Sequence, residues 1–132
     1  MGERAEGTFH VTSWEEKTYE ALEGAEKLTR ARIAQDFAGG LEGTGTWECL
    51  MYYRPDGTAA YTGLVRLAGR LDGRQGAFVV LSEGSYDGAE ARATWEVVRG
   101  SGSGGLQGLS GRGTSVAPHG PDGTFSLDYE IE

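Results

Sequence analysis

The chain has 132 residues, 20 acidic side chains against 12 of lysine and arginine, and a formal net charge of -8. An acidic protein repels phosphate backbones and anionic membrane surfaces, so we expect neither a nucleic acid nor a membrane as partner. The N-terminal residues lack the apolar segment of a signal peptide, and no apolar run approaches the roughly 20 residues that a spanning helix needs. The sequence therefore predicts a single domain over residues 1–132, located in the cytoplasm.

Metal and cofactor sites are not indicated by the sequence. The single cysteine cannot form an internal disulfide, and with two histidines far apart it makes no zinc signature. The glycine-rich segment 100–105 lacks the Lys-Ser/Thr ending of a phosphate-binding loop, and no helix pattern follows it. We therefore predict no metal and no cofactor.

Taken in chain order, the sequence alternates between strand-like segments and turns. The first strand begins near Thr8 and ends near Trp14, and residues 15–28 are either a polar loop or a helical turn or two. Asp-Gly pairs, which favour hairpins, recur between the later segments. These later strands are predicted at about 26–38, 41–54, 58–71, 74–86, 89–99, 105–116 and 124–131. An all-β antiparallel meander of eight strands, with little or no helix, avoids open edges by closing into a barrel or by stacking as a sandwich.

Three turns predict how the central strands pair. Arg54-Pro55-Asp56-Gly57-Thr58 suits a three-residue loop, and Asp72-Gly73 and Asp87-Gly88 suit two-residue turns. All three registers place apolar residues on one face and charged residues on the other, and this agreement supports the pairing. The predicted inward layers are Trp47, Val65, Val80 and Trp95, then Cys49, Gly63, Ser82 and Ala93, then Met51, Tyr61, Gly84 and Ala91.

The second of these layers is small throughout. Because protein interiors pack to near-crystalline density, such a layer must be filled from the opposite wall, by water or by a ligand. One hypothesis is a cavity floored by Trp47 and Trp95 and rimmed by Tyr53, Tyr61 and Tyr86. Replacement of Ala93 by phenylalanine is then expected to fill the cavity and abolish binding with little loss of stability. The alternative is that the far wall closes the gap, through Phe9, Val11, Ile33, Phe37, Phe125 and Tyr129.

Other reactive side chains have simpler interpretations. Cys49 is interpreted as a small buried hydrophobe, because a buried free cysteine usually packs and does not react. Trp14, Glu15 and Glu16 follow the first strand and either cover a barrel end or are solvated, and the Glu15-Glu16 pair is interpreted as a solvated face.

Six segments together resemble a known family. They are Gly7-Thr8-Phe9-His10-Val11-Thr12-Ser13-Trp14, Lys27-Leu28-Thr29-Arg30-Ala31, Tyr53-Arg54-Pro55-Asp56-Gly57-Thr58, Leu71-Asp72-Gly73-Arg74, Gly100-Ser101-Gly102-Ser103-Gly104 and Ala117-Pro118-His119-Gly120-Pro121-Asp122-Gly123. The set resembles a family of small bacterial proteins known as a domain of unknown function, whose fold is similar to the allene oxide cyclase barrel. The resemblance spans nearly the whole chain and implies a closed antiparallel eight-stranded barrel, but no established reaction. The wider superfamily includes cofactor-independent cyclases that hold a flexible apolar substrate in a productive shape.

The chain departs from this family at two inward positions. Family members often carry Gly-Leu-Glu-Arg and Phe-Val-Leu-Gln-His where this sequence has Gly63-Leu64-Val65-Arg66 and Phe78-Val79-Val80-Leu81-Ser82. Val65 and Ser82 therefore replace a potential acid/base pair. The predicted pocket is more apolar as a result. We expect it to act on a ligand mainly through its shape and through hydrogen bonds from hydroxyl groups.

The sequence favours a barrel that binds a small apolar or polyketide-like ligand. It acts either as a cofactor-independent cyclase or isomerase, in which Tyr61, Ser82 and Tyr53 orient a carbonyl or hydroxyl, or as a non-catalytic binding or accessory protein. The third alternative is a filled barrel that forms homo-oligomers or binds partners through outward-facing residues such as Leu50, Tyr52 and Leu64. The candidate ligand-binding residues are Trp47, Cys49, Met51, Gly63, Val65, Val80, Ala93, Trp95 and Tyr129.

Overall fold

The computed structural model describes residues 2–119 and 122–132 and contains nine β-strands within them. The strands are β1 (Glu3–Ala21), β2 (Lys27–Gly39), β3 (Leu41–Tyr53), β4 (Ala59–Leu71), β5 (Arg74–Tyr86), β6 (Ala91–Val97), β7 (Ser103–Gly104), β8 (Leu109–His119) and β9 (Asp122–Ile131). Among the described residues there is no helix, and hence none that could cross a membrane. The predicted turn at Gly120 and Pro121 lies outside the described residues.

Eight of the strands close into an antiparallel barrel. The hydrogen-bonded order is β4, β3, β2, β1, β9, β8, β6 and β5, and pairing of β5 with β4 completes the circle. The two-residue strand β7 is additional and pairs with Gly76 and Ala77 at the start of β5. This architecture confirms the predicted all-β eight-stranded barrel. Because the barrel is closed, each of the eight strands pairs with a neighbouring strand on both sides.

Two of the three predicted hairpin registers are confirmed. The Arg54 amide donates to the Thr58 carbonyl at 2.8 Å, and Gly57 has φ +88°, as a three-residue loop with a left-handed third residue requires. At the next turn Asp72 and Gly73 have φ of 48° and 86°, the positive pair of a type I′ turn. Trp47 consequently pairs with Val65, and Val65 with Val80.

The third predicted register is wrong by two residues. Tyr86 pairs with Ala91, so the loop holds four residues, and the Asp87 carboxylate inside it accepts hydrogen bonds from the amides of Ala89 and Glu90, each 2.9 Å long. The shift moves Trp95 from its predicted place beside Val80 to a place beside Ser82. A shift of two preserves the alternation of faces, and for this reason the apolar pattern did not reveal the error.

The first strand is also longer than the sequence predicts. It continues through Trp14 to Ala21, and residues 15–21 are neither loop nor helix but pair with β2. Bulges interrupt the pairing at Thr12 and at Tyr19. β8 begins at Leu109, four residues later than predicted, because the chain first adds β7 and a turn that buries Leu106.

The two ends of the barrel differ in packing. We call the end that carries the loops 22–26, 54–58 and 87–90 the upper end, and the end with the turn at residues 72–73 and the segment 98–108 the lower end. The lower half is filled by side chains with at most 5 % of their surface exposed, which are Phe37, Leu41, Leu67, Leu71, Phe78, Val80, Val97, Leu106, Leu109, Phe125 and Leu127. The fold therefore has its hydrophobic core below and leaves room above.

Candidate functional site

A cavity of about 330 Å³ occupies the upper half of the barrel. Its wall is rich in aromatic rings, contributed by Phe9, Trp14, Trp47, Tyr53, Tyr61, Tyr86 and Trp95. The polar residues among its lining are Gln35, Ser82 and Ser115, besides the tyrosine hydroxyls. Trp14 and Tyr86 are 49 % and 38 % exposed, so the cavity reaches solvent at the upper end. Its volume is near the lower end of the usual range for small-molecule pockets, about 300–1,000 Å³.

The bulge at Thr12 decides which side chains of β1 face this cavity. Val11 pairs with Gln35, whereas Trp14 pairs with Ile33 and Glu16 with Ala31. Directly paired residues of antiparallel strands point to the same face, and Ile33 and Ala31 are fully buried. One extra residue in β1 therefore turns Trp14 and Glu16 inward, where an uninterrupted strand would have turned Ser13 and Glu15.

Glu16 holds a hydrogen-bonded cluster at the mouth of the cavity. Its Oε2 accepts hydrogen bonds from the Tyr53 hydroxyl at 2.5 Å and the Thr29 hydroxyl at 2.6 Å, and its Oε1 accepts one from the Trp14 indole at 2.9 Å. Partial burial alone would raise the pKa of Glu16, but these hydrogen bonds and the nearby charge of Lys27 outweigh it and lower the pKa. Glu16 is therefore an ionised, half-buried carboxylate and not the solvated group that the sequence suggested.

The tyrosine hydroxyls that line the cavity already have acceptors. Tyr61 donates to the Arg92 carbonyl oxygen and Tyr86 to the Gly88 carbonyl oxygen, both at 3.1 Å, and Tyr53 donates to Glu16. Burial raises the pKa of Tyr61 to about 12. Burial and the hydrogen bond to Glu16 also raise the pKa of Tyr53. The phenols of Tyr53 and Tyr61 are therefore neutral near pH 7.

The ring of Tyr61 lies against β5 because its cross-strand neighbour Gly84 has no side chain. A Cβ atom at position 84 would lie 2.7 Å from the Tyr61 hydroxyl oxygen, well inside van der Waals contact. On the other side the Trp47 ring meets Tyr61 edge to face at 5.2 Å. The Trp47 indole nitrogen is shielded from solvent and has no hydrogen-bond partner among the described residues.

Seven of the residues predicted to form the site line the cavity, and five do not. The seven are Trp47, Met51, Tyr53, Tyr61, Val65, Ser82 and Trp95. Cys49, Gly63, Val80 and Ala93 belong to the wall or to the packed interior, and burial raises the pKa of the Cys49 thiol to about 12. Tyr129 lies at the lower end, where its hydroxyl donates to Asp72. In the corrected β5–β6 register, Ala93 pairs not with Ser82 but with Gly84, against which the Tyr61 ring lies.

The far-wall alternative is correct for the lower half of the barrel alone. Phe37 and Phe125 pack against Trp95, with ring centroids 6.1 and 5.7 Å away, and so form the floor beneath the cavity. Phe9, Val11 and Ile33 line the cavity without filling it. Trp14, Gln35 and Ser115 were not named from the sequence as lining residues. The inward orientation of Trp14 and Ser115 depends on pairing between β1 and β2 and between β6 and β8, whereas Gln35 lies between Ile33 and Phe37 and faces inward by simple alternation along β2.

The sequence pattern of a family described as a protein of unknown function, DUF3224, matches residues 5–129. The chain belongs to the DUF3224 family. It is similar to a crystal structure of a DUF3224 protein of unknown function from Shewanella oneidensis MR-1, at 28 % identity and a TM-score of 0.84, over 100 % of this chain and 99 % of that one. No curated protein matches the chain significantly.

Membership of DUF3224 confirms the resemblance to a barrel family of unknown function, while the similarity to allene oxide cyclase stays a prediction. Val65 and Ser82, the two positions at which a departure from the family is expected from the sequence, both line the cavity of this DUF3224 chain. Within the described residues, no three His, Cys, Asp or Glu side chains come together as a metal-binding group.

Proposed function

We propose that this protein binds one small, largely apolar molecule in the upper cavity of its barrel. The observation that carries the proposal is the contrast between the two halves, since the lower half is filled and the upper half leaves about 330 Å³ among seven aromatic rings. An apolar cavity of roughly 150 Å³ already admits a benzene ring, so a ligand of two fused or linked rings is of suitable size. Burial of such a ligand would supply most of the binding free energy.

The polar groups of the cavity support recognition without covalent chemistry. The raised pKa of Tyr61, about 12, makes this phenol a poor general base near pH 7, and Val65 offers no acid/base group. Ser82 is buried and lines the cavity, so its hydroxyl is suited to a hydrogen bond with a ligand. These features favour a carrier or sensor.

Two neighbouring alanines of β6 allow a matched test. Ala91 lines the cavity, whereas Ala93, two residues along on the same face, is 6 % exposed and packed beside Gly84 and Tyr61. We expect Ala91→Phe to fill the cavity and abolish uptake of a fluorescent hydrophobic probe with little loss of stability. Ala93→Phe should instead overpack the wall and lower the free energy of unfolding by about 1–3 kcal/mol. Unchanged uptake by a folded Ala91→Phe variant would contradict the proposal.

A cofactor-independent cyclase or isomerase is the second candidate. It is favoured by the fixed hydroxyls of Tyr53 and Tyr61, because oriented groups in a water-poor cavity can hold a flexible substrate in one reactive shape. Catalysis requires that a bound compound is released as an isomer of the same mass. Chromatography and NMR of a ligand before and after incubation test this, with Ser82→Ala as the variant expected to lose turnover.

Self-association is a third candidate for this barrel. Leu50, Leu64 and Leu81 lie on three adjacent strands and are 49 %, 51 % and 36 % exposed. Leu64 and Leu81 are direct cross-strand partners, whereas Tyr52 is held by a hydrogen bond to Glu26. Sedimentation of the wild type and of Leu64→Glu at several concentrations would separate a dimer from a monomer.

A further inference from the structure

The mouth of the cavity has the electrostatic character of a site for a positive charge. Trp14, Tyr53 and Tyr86 lie at this end, and none of the described residues that line the cavity is charged. The π face of an aromatic ring is negative, and it attracts an ammonium group within about 6 Å of the ring centroid. The Lys27 ammonium is held over the Tyr53 ring in this way, 4.8 Å from its centroid.

Hydrogen bonds strengthen this polarity. The Tyr53 and Tyr86 hydroxyls and the Trp14 indole donate to Glu16 or to the Gly88 carbonyl, so their protons point away from a ligand at the mouth. The groups with donors to spare, among them the Trp47 indole and the side chains of Gln35, Ser82 and Ser115, lie further from the mouth along their strands. A ligand at the mouth therefore meets oxygen lone pairs and ring faces, which suit a cation and repel an anion.

Glu16 adds a full negative charge directly behind these rings. Its carboxylate is half-buried and bonded to both Trp14 and Tyr53, so water screens it less than it screens a surface carboxylate. Lys27 compensates part of this charge from the side of β2, next to Tyr53. The mouth is open to solvent at Trp14 and Tyr86, so a cation there keeps part of its hydration and avoids most of the cost of burial.

We propose that the preferred ligand is an amphipathic organic cation, whose apolar body enters the cavity and whose ammonium group rests at the mouth among Trp14, Tyr53 and Tyr86. This inference rests on the proposed function, since it names the class of ligand for the same cavity. Glu16 acts as a positioning residue that orients two of the three rings and supplies the negative potential.

A pair of isosteric probes tests the charge preference directly. Benzyltrimethylammonium and neopentylbenzene have the same shape, with a quaternary nitrogen in one and a quaternary carbon in the other. Binding of each to the full chain is measured by tryptophan fluorescence and by the amide and indole signals in NMR spectra. We expect the cation to bind roughly ten-fold more tightly than its neutral counterpart, in line with cation–π attraction at a partly desolvated site.

Two glutamate variants show where the preference comes from. Glu16→Gln should reduce the cation-to-neutral affinity ratio several-fold, because it removes the charge behind the rings. Glu15→Gln changes the net charge equally but lies on the outer face, opposite Arg32, and should leave the ratio unchanged. An unchanged ratio in Glu16→Gln overturns the role of Glu16.

The outcomes distinguish the two proposals. If the neutral probe binds as tightly as the cation or more tightly, and Ala91→Phe abolishes its binding, the cation proposal is rejected while ligand binding in the cavity stands. If neither probe binds at millimolar concentration, both proposals are contradicted. Tighter binding of the cation that Ala91→Phe leaves intact would place the cation outside the cavity and reject the proposal.

Discussion

At the scale of single residues, the environment sets the chemistry of Glu16. In the sequence it stands beside Glu15 and is indistinguishable from a solvated carboxylate. In the structure its partners Thr29 and Tyr53 come from other strands, with Tyr53 lying 37 positions further along the chain. Three donors that converge on one carboxylate outweigh its partial burial and lower its pKa, and Glu15 receives nothing comparable.

This difference predicts how stability depends on pH. Because the folded-state pKa of Glu16 lies below the ordinary 4.5, its contribution is fully present above about pH 4.5 and is lost as the pH falls through the lower folded value. We expect Glu16→Gln to lower the free energy of unfolding by about 1 kcal/mol at pH 7, and the gap to the wild type to narrow below pH 4. Urea unfolding between pH 3 and pH 7 measures this difference in the free energy of unfolding. Glu15→Gln, as control, should show no such narrowing, and a gap that is constant with pH would count against the assignment.

At the scale of elements, the upper site depends on an irregularity in β1. The bulge at Thr12 changes which residues of the strand face inward, so that Phe9 and Trp14 point to the same side although they are five positions apart. A bulge of one residue has no strong signal in the amino-acid composition. The alternation of apolar and polar residues, which predicts the inward side chains of β3, β4 and β5, therefore fails at this point in β1.

The bulge predicts opposite outcomes for two single-residue deletions. Thr12 has no partner on β2, so its deletion leaves Val11 opposite Gln35 and Trp14 opposite Ile33 in a regular ladder, and the protein should stay folded. Thr62 is also an exposed strand threonine, but it is paired on both sides, with Leu50 and Glu83. Deleting it would reverse the facing of part of β4 relative to its neighbours, and we expect this variant not to fold. Circular dichroism melting of the two variants compares them, and equal loss of structure would argue against the described bulge.

At the scale of the whole molecule, the lower half of the barrel is filled by buried side chains and the upper half holds the cavity. The lower core consists of buried apolar side chains and includes Leu106, which is supplied by the segment that follows β6. In the upper half, side chains of the same strands border the cavity. Functional cavities are usually lined by apolar groups with a few polar ones, on a scaffold that is stable elsewhere.

Truncation of two side chains of similar size compares the halves. Leu67 is fully buried in the lower half, so Leu67→Ala should lower the free energy of unfolding by about 2–5 kcal/mol, the usual cost of a new cavity in a packed core. Met51 borders the upper cavity, and Met51→Ala should cost about 1–2 kcal/mol because the side chain already lacks neighbours on one side. Urea denaturation of both variants checks the order, and a larger loss for Met51→Ala would show that the upper half is packed.

The sequence by itself determined the local geometry. The turns at residues 54–58 and 72–73 require particular backbone angles, and these angles set the pairing of β3, β4 and β5. Alternation of apolar and polar residues then determined which side chains of those strands point inward, Trp47, Tyr61 and Ser82 among them. Such information is carried by neighbours in the chain, so it can be read without knowing the fold.

Only the tertiary structure decided the rest. The loop at Asp87 holds two residues more than the predicted turn, and the bulge at Thr12 adds one residue to β1. The cluster on Glu16 uses partners that are distant in sequence. The choice between a filled and a hollow barrel was likewise open, because it depends on how side chains from all eight strands share the interior volume. That sum of volumes is a property of the closed barrel, and no single strand contains it.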